Sequence, residues 1–136
     1  MNLERIGASH PLFEASFALY EASFPPNERR TREDHLHAMQ DADFSPLGAV
    51  EAGNLLADVF LWETENFSYL EHFAVQPSLR GHGCGTELLR QLLGRDKPLI
   101  LEIEPPEDAR TCRRKRFYER NGLRAQPFRH VQLPFQ

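Results

Sequence analysis

The sequence has few cysteines, no long apolar run and no excess of basic residues. Its 136 residues include two cysteines, Cys84 and Cys112, whose spacing fits neither a CxxC metal or redox site nor a disulfide scaffold. No segment approaches the roughly 20 apolar residues of a membrane-spanning helix, and the N-terminus lacks the apolar core of a signal peptide. We therefore expect a cytoplasmic protein with no membrane partner.

A surplus of Lys and Arg is also missing, since the formal net charge is -4. Nucleic-acid-binding domains normally carry such a surplus, so we expect no nucleic-acid partner, and the basic run at residues 110–116 is expected to be a solvated helix face. His35 and His37 are two residues apart, which does not place them on one helix face, and His72 is expected on the strand face opposite Glu71. No metal site is predicted.

Apolar residues recur at helical spacing in four segments, residues 10–24, 31–39, 83–93 and 108–121. Pro25 and Pro26 end the first of these helices. Thr31 and Asp34 resemble a capping box at the start of the second. The fourth stops at Gly122, in a position that favours a left-handed backbone.

Strand patterns lie outside these helices, at residues 3–6, 47–50, 55–62, 67–75 and 98–104, with one further weak strand at most in residues 123–136. The order is strand, two helices, three strands, helix, strand, helix, weak strand. It predicts a single α/β domain over residues 1–136 with a mixed sheet.

The sharpest feature is the glycine-rich segment Arg80-Gly-His-Gly-Cys-Gly85, directly after a predicted strand and directly before a predicted helix. Alternate glycines let the backbone turn with its N–H groups outward, and the helix adds unpaired N-terminal donors and the positive end of its dipole. Arg80 adds a cationic donor, and Thr86 a hydroxyl or a helix cap. Such a loop suits a diphosphate; a strand-to-helix connection without a ligand is the alternative.

Two common phosphate loops are excluded by inspection. A Rossmann fingerprint needs glycine where Thr86 stands, and a P-loop needs GKS or GKT. Neither pattern is present in this segment.

Residues 75–85 resemble motif A of the GNAT acyltransferase superfamily, whose pattern Gln/Arg-x-x-Gly-x-Gly/Ala is matched by Arg80, Gly83 and Gly85. Residues 117–123 (FYERNGL) resemble the family's FYE-x-x-GF helix end, and residues 24–29 (FPPNER) resemble the FP-x-x-ER loop of many bacterial members. The resemblance implies a GNAT-like α/β domain, with a mixed, mostly antiparallel sheet flanked by helices and here a shortened C-terminal end.

The resemblance also implies acetyl-coenzyme A as cosubstrate, with no metal. The loop backbone would hold the pyrophosphate, and the outgoing end of the preceding strand would pair with the pantetheine amides as an added strand does. The strands at residues 67–75 and 98–104 would splay apart, with the thioester in the gap. The implied cofactor-binding residues are Phe73, Ala74, Val75, Arg80, Gly81, His82, Gly83, Cys84, Gly85 and Thr86.

Acyl transfer from a thioester to an amine needs a proton acceptor for the amine and a donor for the thiolate. Tyr118 matches the family tyrosine and is the candidate acid; a core aromatic beside Phe117 is the alternative. Glu71 is the candidate base, on a strand face with Tyr69 and Phe73 where an unpaired carboxylate would be costly. A solvated strand face is the alternative for Glu71.

The expected reaction is N-acetyl transfer to a primary amine by direct attack in a ternary complex; the alternative is a non-catalytic coenzyme A-binding regulatory module of the same fold. Glu28, in the proline loop, is the candidate for attracting a cationic amine substrate. Pro127 and Pro134 interrupt the chain after the last helix, which predicts an incomplete sheet edge and a homodimer that covers it.

Overall fold

The computed structural model of the chain describes residues 1–103 and 106–124. Short 3₁₀ turns at Pro26–Glu28 and Pro77–Leu79 interrupt the loops. In chain order the helices and strands are β1 (Asn2–Arg5), α1 (Phe13–Ser23), α2 (Arg32–Ala38), β2 (Phe44–Glu51), β3 (Asn54–Glu63), β4 (Ser68–Val75), α3 (Cys84–Leu93), β5 (Leu99–Leu101) and α4 (Ala109–Arg120). This is the predicted order, and most of the predicted weak strand at residues 123–136 lies outside the described residues.

Local capping determines where two helices begin. The hydroxyl of Thr31 accepts the backbone N–H of Asp34 at 3.1 Å and starts α2. Asp108 starts α4 through a capping box, because its carboxylate accepts the N–H of Thr111 at 2.8 Å while the Thr111 hydroxyl accepts the N–H of Asp108 at 3.0 Å. These contacts satisfy donors that a helix leaves unpaired at its N-terminus.

The five strands form one sheet in the order β1-β2-β3-β4-β5. The first three pairings are antiparallel and the last is parallel, so the predicted mixed, mostly antiparallel sheet is confirmed. β5 is shorter than its predicted range of residues 98–104. Glu102 and Ile103 follow it outside any strand, and Glu104 lies outside the described residues.

Helices cover both faces of the sheet. On one face, α1 packs Phe13, Phe17 and Tyr20 against Phe44 of β2 and Phe60 of β3. On the other face, Leu88 and Leu92 of α3 pack on alternate residues of β3, including Val59. The α/β layering therefore follows from strand alternation in β3, which sends neighbouring side chains to opposite helices.

A bulge in β4 breaks its alternation at Glu71. His72 lies opposite Phe60 and Leu70 lies opposite Leu61, so Glu71 has no partner residue in β3. Leu70 packs on the α3 side, with Val59 and Leu61, whereas the ring of His72 contacts Tyr20 on the α1 side. Bulges of this kind redirect side chains at functional sites.

Candidate active site

The glycine-rich loop joins β4 to α3 and places two glycines in the left-handed region, with φ of +84° at Gly81 and +80° at Gly83. Gly83 is the N-cap of α3, and no side chain caps this helix. Thr86 was expected to offer a hydroxyl or a helix cap, and of these two roles the cap is not made in the described residues, because Gly83 occupies the N-cap position. Non-glycine residues rarely adopt this conformation, which explains why the turn requires glycine at these positions.

Most backbone donors of this loop are open. The N–H groups of Arg80 and His82 bond to carbonyls of the preceding 3₁₀ turn, at 3.3 and 3.4 Å. Within residues 1–103 and 106–124, five other amides of the loop and the first helical turn have no protein acceptor. They belong to Gly81, Gly83, Cys84, Gly85 and Thr86.

Side-chain packing fixes the loop between β4, α3 and α4. The Nε of Arg80 donates to the carbonyl of Val75 at 3.3 Å. A Cβ built on Gly85 would lie 3.5 Å from the ring of Phe117 and 3.7 Å from that of Phe73. The loop is therefore held against the end of β4 while its amides stay open.

Cys84 lies at the start of α3, half-buried. Burial raises the pKa of its thiol, and the nearby Glu51 carboxylate raises it further. A raised thiol pKa disfavours the thiolate, which is the nucleophilic form. Cys84 is thus poorly suited to covalent catalysis.

In the part of the chain that the structure describes, the outgoing half of β4 has an open edge. β5 pairs with β4 only at Ser68, Tyr69 and Leu70, while β4 continues to Val75 and stays paired with β3. Residues 71–75, which include Phe73 and Ala74, therefore have no β5 partner. This agrees with the splayed strands expected at residues 67–75 and 98–104.

A cavity of about 690 Å³ opens on the α1 side of the sheet, next to Glu71 of β4. It lies between α2, the turn after α2, the end of β3 and the bulge in the middle of β4. Its lining includes Arg30, Asp34, Asp41, Trp62 and Glu71. The cavity therefore adjoins the bulge at which β4 and β5 separate.

Glu71 is paired in this cavity. Both carboxylate oxygens accept bonds from the guanidinium of Arg30, with Nη2 to Oε2 at 2.8 Å. The indole N–H of Trp62 donates to Oε1 at 3.1 Å. The carboxylate is neither the unpaired group nor the solvated one that the sequence suggested, because its side chain is 11% exposed and its charge is balanced.

The sequence-based placement of side chains around Glu71 is corrected by the bulge. Glu71 and His72 both lie on the α1 side, since Arg30 contacts Glu71 and also lies over the ring of Tyr20, which His72 touches. Phe73 was expected on the face of Glu71 but packs on the other face, against Phe117. Simple alternation fails here because one extra residue shifts the register.

Tyr118, the candidate acid, lies near the end of α4 and is 6% exposed. Its ring contacts Phe117 at a centroid distance of 5.2 Å, and Phe117 in turn approaches Phe73 of β4 at 6.4 Å. Tyr118 is thus one residue from a side chain that contacts the open half of β4. Its role as the acid stays a prediction.

Glu28, the candidate for substrate binding, lies exposed on the first 3₁₀ turn and does not line the cavity. Arg30, two residues later, does. Neither Arg30 nor Trp62 was predicted from the sequence as a site residue. The sequence shows a cation close to the proline loop and an aromatic hydrogen-bond donor in a strand. It does not show that these two side chains meet at Glu71.

Two further properties concern the whole described part of the chain. None of its helices is both long enough and apolar enough to cross a membrane. Nor does it bring three or more His, Cys, Asp or Glu side chains into an arrangement that suits a metal ion.

An α/β sheet that parts between β4 and β5 beside a glycine-rich, helix-capping loop is the architecture of an acyltransferase of the GNAT type. A family model described as the acetyltransferase (GNAT) domain matches residues 45–124. The chain belongs to this family.

Relatives agree with this assignment. The provisionally named acetyltransferase YjbC of Bacillus subtilis (strain 168) is 35% identical over 72 residues, which cover 52% of this chain and 35% of YjbC. The match thus spans about a third of that relative. A solved structure from Bacteroides thetaiotaomicron, provisionally named as a GNAT-family acetyltransferase, has a TM-score of 0.93 and 27% identity, over all of this chain and 79% of its own.

A more distant structure shows the fold alone. It is the aminoglycoside acetyltransferase meta-AAC0020 from an uncultured soil metagenomic sample, solved with sisomicin. Its TM-score is 0.71 at 15% identity, over 99% of this chain and 96% of the other.

Proposed function

We propose that the protein transfers the acetyl group of acetyl-coenzyme A to a primary amine by direct attack in a ternary complex. The observation that carries this proposal is the row of open amides at Gly81, Gly83, Cys84, Gly85 and Thr86, which continues the open edge of β4. Backbone donors at a helix N-terminus suit a diphosphate, and an unpaired strand edge suits an extended amide-bearing arm. Coenzyme A has both groups, in that order.

On this proposal, the pyrophosphate binds at the loop and the pantetheine lies along residues 71–75, beside Phe73, Ala74 and Val75. Arg80 and His82 flank the phosphates. The thioester then lies near the bulge at Glu71, where the strands separate. The acceptor amine approaches from the cavity, because that is where the bulge opens on the α1 side.

The chemistry balances with the side chains present. The amine nitrogen attacks the thioester carbon, the C–S bond breaks, and the thiolate takes a proton from the Tyr118 phenol. Glu71 accepts an amine proton, directly or through water. Asp34 and Asp41 at the cavity favour a cationic acceptor, which must lose a proton before it attacks.

Thiol release from acetyl-coenzyme A tests this function. Lysine, spermidine, kanamycin and a tetrapeptide with a free N-terminus represent amino acids, polyamines, aminoglycosides and peptides. Tyr118→Phe should lower turnover by about 100-fold, because general acid–base catalysis contributes about 10²–10⁴-fold. Its affinity for acetyl-coenzyme A should stay unchanged. Cofactor binding without release with any amine would favour the non-catalytic module instead.

A further inference from the structure

The Glu71 carboxylate has one acceptor position left. An ionised carboxylate offers about four, two on each oxygen. Oε1 accepts from Arg30 and Trp62, and Oε2 accepts from Arg30. Within the described residues no other protein donor reaches Glu71, so the open position is on Oε2. Glu71 is one of the residues that line the cavity.

Arg30 is itself held in place. Its guanidinium lies 5.4 Å from the ring centre of Tyr20 and 5.0 Å from that of Phe44. Nη2 lies 3.2 Å from Nδ1 of His35, and its backbone N–H donates to the Tyr20 hydroxyl at 2.8 Å. With only 9% of the side chain exposed, the guanidinium has little freedom to turn, and neither does the carboxylate that it binds.

We propose that Arg30 is a positioning residue for the acceptor, an inference that rests on the proposed function. By holding both oxygens of Glu71, it orients the open position on Oε2 toward the incoming amine, which donates an N–H bond to it. Arg30 therefore acts on the reaction through Glu71 and does not touch the thioester. Trp62 occupies the second position on Oε1 and prevents the amine from binding there.

The planar fork of Arg30 is essential to this role. A guanidinium binds a carboxylate at two points and fixes its plane, whereas an ammonium binds as a point charge and leaves the plane free. Arg30→Lys keeps the charge but loses the orientation. We expect it to raise the KM for the amine by about tenfold, the effect of misplacing one charge-assisted hydrogen bond, while the KM for acetyl-coenzyme A stays at its wild-type value.

Arg32→Lys is the matched control. Arg32 also binds a carboxylate at two points, with Glu14 at 2.7 and 2.8 Å, but that pair is largely exposed at the surface. The same substitution there should leave both KM values unchanged. An equal rise in amine KM for the two variants would overturn the role of Arg30.

A paired replacement separates positioning from folding. Arg30→Met alone leaves the carboxylate buried without a counter-charge and should lower the unfolding midpoint. The double variant Arg30→Met/Glu71→Met removes both charges and should recover the midpoint, yet in a direct binding titration it should bind the amine at least about tenfold more weakly than wild type. Recovery of stability and amine affinity together would mean that the pair is only structural.

Trp62 provides a readout without turnover. It is the single tryptophan of the chain, so the indole N–H gives one NMR cross-peak that reports its bond to Glu71. Arg30→Lys should shift this peak, and titration with lysine, spermidine, kanamycin or the tetrapeptide should shift it in the wild type but not in the double variant. If none of these amines is acetylated, the proposed function fails while the titration still tests positioning. An unmoved wild-type peak with all four would overturn the inference.

Discussion

The imidazole of His72 lies 3.3 Å from the carboxylate of Asp58, and both side chains are almost fully buried. Ser16 of α1 donates its hydroxyl to the other oxygen of Asp58 at 2.7 Å. Burial raises the pKa of Asp58, against the opposing effect of His72 and Ser16. The cluster joins α1 to β3 and β4, directly beside the bulge at Glu71.

Removing Asp58 should therefore destabilise the fold. We expect Asp58→Ala to lower the free energy of unfolding by about 3 kcal/mol, because it leaves the buried His72 and Ser16 groups without their partner. Chemical denaturation measures the loss. Asp43→Ala, at an exposed position, is the control and should stay within about 0.5 kcal/mol of wild type. Equal free energies of unfolding for the two variants would contradict the stabilising role of Asp58.

The stability of the protein should fall in mild acid because of His35. Burial, followed by the charge of Arg30, lowers the pKa of His35 to about 4. A histidine whose pKa is lowered by folding stabilises the folded state at pH values above its unfolded-state pKa of about 6.5. This stabilisation is lost as the pH falls from there toward the folded-state pKa. The loss is on the order of 3 kcal/mol.

Urea unfolding at about pH 7 and about pH 4.5 spans this window. His35→Gln keeps an acceptor for Arg30 but cannot titrate. Its free energy of unfolding should therefore change less between the two pH values than that of wild type. His37→Gln, on the exposed side of the same helix, should behave as wild type does. An unchanged pH difference in His35→Gln would rule out His35 as its source.

Gly48 of β2 is predicted to be intolerant of any side chain. A Cβ there would lie 2.7 Å from Cδ1 of Leu55 and 2.8 Å from Cγ1 of Ile6. Both neighbours are buried, so Gly48→Ala should cost about 1–3 kcal/mol through overpacking. Gly7→Ala adds the same methyl group where nothing lies within 4 Å. Thermal unfolding should therefore separate the two variants, and coincident curves would contradict the packing described.

The homodimer predicted from the sequence remains to be tested. β5 ends the sheet in the described part of the chain, and Ile100 on it is 46% exposed. Light scattering should give about twice the chain mass of 15.7 kDa, because exposed strand edges tend to pair. Ile100→Lys should shift the mass toward the monomer. A monomeric wild type at micromolar concentration would rule the dimer out.

Local chemistry made much of this fold predictable. The hydroxyl of Thr31 caps the N-terminus of α2. Gly122 ends α4 with φ of +94°, a conformation that glycine adopts without strain. The loop at Gly83 was predictable for the same reason. Each of these features depends on residues close together in the chain.

Long-range geometry made the acceptor side of the site unpredictable. Arg30 and Glu71 are 41 residues apart, and their contact depends on where the segment before α2 meets β4. The bulge at Glu71 inserts one residue into the ladder, and no local signal in β4 marks it. Because the faces of Glu71, His72 and Phe73 all depend on that bulge, strand alternation alone placed them incorrectly.

Isothermal titration calorimetry with acetyl-coenzyme A tests the central claim most directly. Wild type and Gly7→Ala should bind one equivalent, whereas Gly83→Ala should bind at least about fivefold more weakly, because a left-handed alanine costs roughly 1–2 kcal/mol and displaces the open amides. No heat of binding with wild type, or equal affinity in Gly83→Ala, would contradict the assignment of this loop to the cofactor.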